Sequence, residues 1–158
     1  MTEKDIQNIL GKEQVLKGHN PVASNIKYLI DDWELDLISL TKTGYLFEFE
    51  IKINYQDFKK DLLKKKHYYY KMNYKTIPNY FYYVCTEKLI NVNEIPFYTG
   101  LIYVINNKST IIKKAPLVHN MKFDKLKLME KICKVNSERQ YLGCCLLTYK
   151  NNLIKNAK

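Results

Sequence analysis

From Phe47 to Ile53, in "YLFEFEIKI", apolar and charged residues alternate strictly, and a period of two predicts a β-strand. Side chains on a strand alternate between faces, so Glu48, Glu50 and Lys52 share one side while Phe47, Phe49, Ile51 and Ile53 share the other. Upstream, Ile6, Ile9, Leu10 and Leu16 recur at helical spacing to about residue 17, behind Thr2 and Asp5 arranged as a capping box with Asp where Glu or Gln is usual. Gly18-His19-Asn20-Pro21 ends that helix. "NIKYLI" and "WELDLISL" read as strands, and Thr43-Gly44 turns the second into "YLFEFEIKI" as a hairpin.

The pattern then changes to a helical one. "YQDFKKDLLKKKHYYYKMNYK" predicts one long helix, with Tyr55, Phe58, Leu62, Tyr69 and Met72 as its core stripe, lysines over the remaining surface and Pro78 beyond its end. "YFYYVC" and "GLIYVI" read as strands separated by a loop containing Pro96, and "STIIKK" pairs with the second. Residues 122–135 and 137–150 predict two helices, the second opened by a capping box from Ser137 to Gln140. No repeat or linker interrupts the chain. The expected fold is therefore α/β: a mixed sheet with helices packed against it, in one domain spanning residues 1–158.

Composition narrows the function. A chain of 158 residues can bury a sizeable core without disulfides. No apolar run approaches the ~20 residues that span a bilayer, and the start "MTEKDIQN" lacks the apolar stretch of a secretory signal. We expect no membrane association and a cytoplasmic location, the host cytoplasm if a phage encodes the chain. Cys85, Cys133, Cys144 and Cys145 fit no metal-ligand spacing, and the Cys144-Cys145 pair reads as buried packing.

The net charge of +10 is unevenly placed. Residues 1–53 carry six lysines against nine acids, residues 54–90 eight lysines against three acids, and residues 113–158 eleven Lys and Arg against three acids. A carboxylate-rich segment followed by basic ones suits an enzyme acting on a polyanion, with acids for a metal and cations for phosphate. The competing reading is a lysine-rich proteome, since the many Asn, Ile, Tyr and Lys residues suggest AT-rich coding. Eight of the 14 tyrosines fall between residues 55 and 83, where aromatics interleaved with lysines can stack on unpaired bases or fill the core.

Phosphodiester hydrolysis needs a positioned hydroxide and neutralisation of charge on phosphate. Mg²⁺ supplies both and needs only one or two carboxylates, because it keeps several waters. Across the Thr43-Gly44 hairpin Asp36 and Glu50 can approach one ion from two sides, and Lys52, on the face of Glu50, can orient water or stabilise phosphate. Glu34 and Glu48 lie one strand period upstream and can widen the site. The competing reading is a solvated hairpin face with Glu–Lys cross-strand pairs.

The ordered set Glu34-x-Asp36, Glu48-x-Glu50-Ile51-Lys52, Asp57-Phe58-x-x-Asp61, Lys66-His67, the "FYYVCTE" and "GLIYV" strands and Ala115-Pro116 resembles small phage and bacterial PD-(D/E)XK proteins related to the MmcB-like DNA-repair family. The resemblance covers roughly residues 2–119, leaving a helical extension over about 120–158. It implies a restriction-endonuclease-like αβββαβ core and a Mg²⁺- or Mn²⁺-dependent nuclease acting on DNA. It implies Asp36, Glu50 and Lys52 as catalytic residues, with Asp36, Glu50 and the Ile51 carbonyl on the metal. Glu3, Glu34 and Glu48 are further candidate ligands, and Glu13 competes with Glu3. Lys59, Lys60, Lys66, His67, Lys113 and Lys114 are candidate nucleic-acid contacts. Asp57 and Asp61 can add ligands or pair with Lys60, Lys64 or Lys65, the structural role being favoured. His119 is a remote candidate, His19 reads as incidental, and Asn54 stands where a small hydroxylated residue is expected. A non-catalytic module that keeps the fold and binds DNA or a partner is the alternative. The C-terminal helices fit a DNA clamp, a homodimer surface or a lid on the sheet.

Overall fold

Nine helices and strands build the sheet and its flanking layers in a computed structural model that describes residues 1–27, 29 and 33–138. In order they are α1 (Glu3–Leu16), β1 (Val22–Lys27), β2 (Glu34–Leu40), β3 (Leu46–Lys52), α2 (Tyr55–Asp61), α3 (Lys66–Lys71), β4 (Tyr80–Thr86), β5 (Thr99–Ile105) and β6 (Lys108–Lys113). A further helix, α4, occupies residues 125–138. The strands form one six-stranded sheet in the order β1-β2-β3-β4-β5-β6. β1, β2 and β3 pair antiparallel, as do β5 and β6, whereas β3–β4 and β4–β5 are parallel. The parallel β3–β4 pair follows from the crossover that carries α2 and α3 over one face. The mixed α/β sheet expected from the sequence is thus present, with the element order αβββαβ, its second α split in two.

Each face of the sheet has its own core. On one, Ile6 and Leu10 of α1 meet Leu37, Phe49, Ile51, Tyr82, Val84, Ile102 and Val104. On the other, Phe58 of α2, Tyr70 of α3 and Leu128 and Ile132 of α4 pack on Ile38, Leu40, Leu46, Phe81, Tyr83 and Leu101. β3 is therefore covered on both sides, and the face bearing Glu48, Glu50 and Lys52 is not the solvated face of a hairpin.

Local signals place several boundaries. Thr2 and Asp5 form the expected capping box at α1, and Gly44 takes a positive φ of 86° in the hairpin turn. Three expectations need correction. β1 lies three residues earlier than "NIKYLI", because its pairing with β2, from Val22↔Ser39 to Lys27↔Glu34, sets the register. The long helix over residues 55–75 is two short helices broken at 62–65; Met72 is 55% exposed and Tyr70, not Tyr69, fills the core position. α4 runs unbroken through Asn136 and Ser137, so no capping box opens at Ser137, and the rest of the expected second helix lies outside the described residues. Among the described residues, no helix is long and apolar enough to cross a membrane.

Candidate active site

The β2–β3 ladder runs from Leu40↔Leu46 to Leu37↔Phe49 and stops one position short of Asp36 and Glu50. There a side chain replaces the ladder: Asp36 Oδ2 accepts a hydrogen bond from the Ile51 backbone N–H at 2.8 Å. The N–H and C=O of one strand residue leave on the same edge, so the Ile51 carbonyl also faces the gap toward β2. A cavity of about 400 Å³ opens at this gap, lined by Glu3, Glu34, Asp36, Glu50, Ile51, Lys52, Ile53, Asp57, Lys60, Asp61 and Lys64.

Behind the cavity the charges of β3 are sealed in by α2 and α3. Glu48, Glu50 and Lys52 are 0%, 1% and 8% exposed, and Asp61 and Lys66 are 0% and 1%. Lys52 Nζ lies 2.6 Å from Glu50 Oε1, and Lys66 Nζ lies 2.6 Å from Glu50 Oε2, 3.4 Å from Asp61 Oδ1 and 3.6 Å from Glu48 Oε1. The Lys66 contacts are ion pairs rather than aligned hydrogen bonds. Glu48 Oε2 accepts from the Tyr70 hydroxyl at 2.5 Å. Asp61 Oδ2 accepts from the Tyr83 hydroxyl at 2.8 Å and lies 3.1 Å from His67 Nε2, while His67 Nδ1 is 3.1 Å from the Tyr98 hydroxyl. Buried charges need this degree of pairing, since an uncompensated one costs several kcal/mol.

The electrostatics divide the acids. Burial, reinforced by the charge of Glu50, pushes the Asp36 carboxyl up to about 7. Burial also pushes Glu48 up to about 7, against the pull of Lys66. Burial opposes ionisation of Asp61 too, but the His67 contact, Lys66 and Lys52 hold it below the usual carboxylate range. Burial works against the Lys66 ammonium, yet Glu50, Glu48 and Asp61 hold it above its ordinary value.

Among the described residues, no group of three or more His, Cys, Asp or Glu side chains is arranged to hold a metal ion as it stands. Both Glu50 oxygens face ammonium groups. The donor chemistry nevertheless fits a hard divalent cation. Asp36, Glu50 and the Ile51 carbonyl are oxygen donors around one gap, and a carboxyl raised by a second carboxylate is one that a cation would relieve.

The remaining sequence candidates separate cleanly. Glu3 lines the cavity, and Gln7 Nε2, which donates to Glu3 Oε1 at 3.0 Å, also donates to the Asp36 carbonyl at 3.1 Å. Glu13 is instead committed to β6, accepting from Ser109 N at 3.0 Å and from the Ser109 hydroxyl. Glu34 lies at the rim, 3.2 Å from Lys27. Glu48 sits behind Glu50, outside the cavity lining. Asp57 caps α2 together with Asn54, whose Oδ1 accepts from Asp57 N at 2.8 Å; that is the role of Asn54 in place of a hydroxylated residue.

Of the expected nucleic-acid contacts, Lys60 lines the cavity, while Lys59 lies over the Tyr55 ring at 5.8 Å. Lys66 and His67 are buried among carboxylates and tyrosines, so neither presents its polar end to a phosphate at the surface. Lys113 closes β6 and Lys114 follows it, three strands from β3, or roughly 14 Å at the usual strand spacing, and neither lines the cavity. His119 spans Asn79 and the Ile77 carbonyl, and His19 meets Ser39, both away from the cavity. Cys85 and Cys133 are free thiols, and Cys144 and Cys145 lie outside the described residues. The pairing of Asp61 with Lys64 expected from their spacing is present at 2.7 Å. The inward placement of Lys66 has no counterpart in residue spacing, because it depends on the break between α2 and α3.

A scan of protein-family models and a search of curated proteins give no match. Among solved structures, the chain is similar to a protein of unknown function from Silicibacter pomeroyi, with 16% identity over 83% of each chain and a TM-score of 0.60. At that identity the likeness shows the fold alone.

Proposed function

We propose that this chain is a metal-dependent nuclease of the PD-(D/E)XK type, related to the MmcB-like DNA-repair proteins, that hydrolyses phosphodiester bonds in DNA with Mg²⁺ or Mn²⁺. One observation carries the reading. Where the β2–β3 ladder stops, Asp36, Glu50 and the Ile51 edge face one cavity, with the Lys52 ammonium 2.6 Å from Glu50. Asp36, Glu50 and the Ile51 carbonyl would hold the ion, and Glu3 lines the same cavity. When bound, the metal supplies Lewis-acid charge and a water of lowered pKa. Asp36, anchored by the Ile51 N–H, keeps its donor oxygen fixed relative to β3. Lys52 sits where an ammonium can orient a water or neutralise charge on a phosphoryl oxygen. The aromatic surroundings of the buried cluster, Tyr70, Phe81 and Tyr83, exclude bulk solvent and strengthen these charges.

Purified protein with Mg²⁺ or Mn²⁺ is expected to nick or degrade DNA, and Lys52→Ala is expected to lower the rate by at least 10²-fold, the scale of losing one electrostatic group, with the fold retained. Unchanged activity in Lys52→Ala or in Asp36→Asn would falsify the assignment.

A second reading is favoured by the pairing of both Glu50 oxygens with lysines. On that reading the cluster is a permanent ion-pair network, and the chain is a non-catalytic module that binds DNA or a protein partner. Calorimetry separates the two: heat of Mg²⁺ or Mn²⁺ binding that disappears in Asp36→Asn supports the nuclease, and no heat at millimolar metal supports the module.

A further inference from the structure

We infer that Lys64, in the break between α2 and α3, is a second phosphate-contacting cation of this site; the inference rests on the nuclease reading above. Lys52 and Lys64 share the same two acceptors. Lys52 Nζ lies 2.6 Å from Glu50 Oε1 and 3.6 Å from Asp61 Oδ1, and Lys64 Nζ lies 3.5 Å and 2.7 Å from the same oxygens. Their exposure differs: the Lys52 side chain is 9% exposed and that of Lys64 is 51%. An anionic oxygen approaching from solvent therefore meets Lys64 before it meets Lys52.

The tether is what distinguishes Lys64 from an ordinary surface lysine. A free lysine gives up rotamer entropy to hold one position. Lys64 has already been ordered by Asp61, which is fully buried and fixed in turn by Tyr83 and His67. The break at 62–65 places Lys64 and Lys66 against the same acids, Glu50 and Asp61. The ligand class is a phosphodiester oxygen of a nucleic-acid backbone, held by charge and without base specificity.

The test is binding, measured apart from cleavage. Anisotropy of a labelled DNA duplex is titrated in Ca²⁺ at several NaCl concentrations, using the whole chain, Lys64→Met, Lys64→Arg and Lys12→Met, an exposed lysine of α1 on the opposite face of the sheet. Loss of one phosphate contact lowers the slope of log affinity against log salt by about 0.9. Lys64→Met should therefore lose this slope, so that its deficit relative to the unaltered protein shrinks roughly threefold between 50 and 200 mM salt. Lys64→Arg should restore the slope and Lys12→Met should leave it unchanged. An unaltered slope in Lys64→Met, with DNA binding intact in the parent, overturns the Lys64 inference alone. Absence of DNA binding by the parent overturns the nuclease reading and this inference with it. A thermal melt of each variant confirms that a folded protein is being compared.

Discussion

At the scale of single residues, the buried charges decide the behaviour. Lys66 is 1% exposed and faces Glu48, Glu50 and Asp61, so Lys66→Met leaves three carboxylates short of a cation. Breaking a buried pair from one side costs about 3–5 kcal/mol, and denaturant unfolding of Lys66→Met should show a loss of that size. Glu48 behaves in the opposite sense. Its carboxyl is pushed up to about 7 by burial, against an ordinary 4.5. Between those values the unfolded chain has released a proton that the folded chain keeps, so the contribution of Glu48 is fully present below pH 4.5 and lost as pH rises through 7. Glu48→Gln should flatten that decline when unfolding free energy is measured from pH 4.5 to 8. The sequence showed Asp36, Glu50 and Lys52 as a set because strand period and hairpin geometry put them together. It could not show that Lys66 is buried, because a lysine reads alike on a solvated face and inside a carboxylate cluster.

At the scale of elements, local signals and long-range packing can be told apart. Thr2 and Asp5 at α1, and Thr43-Gly44 at the hairpin, act within a few residues and were legible in the chain. The break at 62–65 was not, because Phe58, Leu62 and Tyr69 fit one continuous helical stripe; tertiary contacts at Asp61 override that periodicity. Asn54 caps α2 through its side chain, and Asn54→Ala should lower the melting stability by about 1 kcal/mol. Gly100 in β5 has a different reason to be small. A Cβ there would lie 2.4 Å from the Tyr82 ring and 2.6 Å from the Ala115 backbone nitrogen. Gly100→Ala should cost on the order of 1–3 kcal/mol by overpacking, seen as a lower denaturation midpoint at unchanged slope.

For the whole molecule, the α/β architecture was accessible because the strand and helix periods and the hairpin turn are local signals, whereas the order of the six strands across the sheet came from the structure. The charge distribution along the chain was a weaker guide. Its basic segment over residues 54–90 is partly spent inward, where Lys64 and Lys66 serve the acids of the cavity and its floor. The proposed metal site is one oxygen-lined gap at the end of the β2–β3 ladder. The most direct test is anomalous diffraction from a crystal of this protein soaked in Mn²⁺. A peak is expected between Asp36 and Glu50, in contact with the Ile51 carbonyl and with Lys52 turned from Glu50. A fully soaked crystal with no peak there, and Lys52 and Lys66 still on the two Glu50 oxygens, would contradict the proposed site.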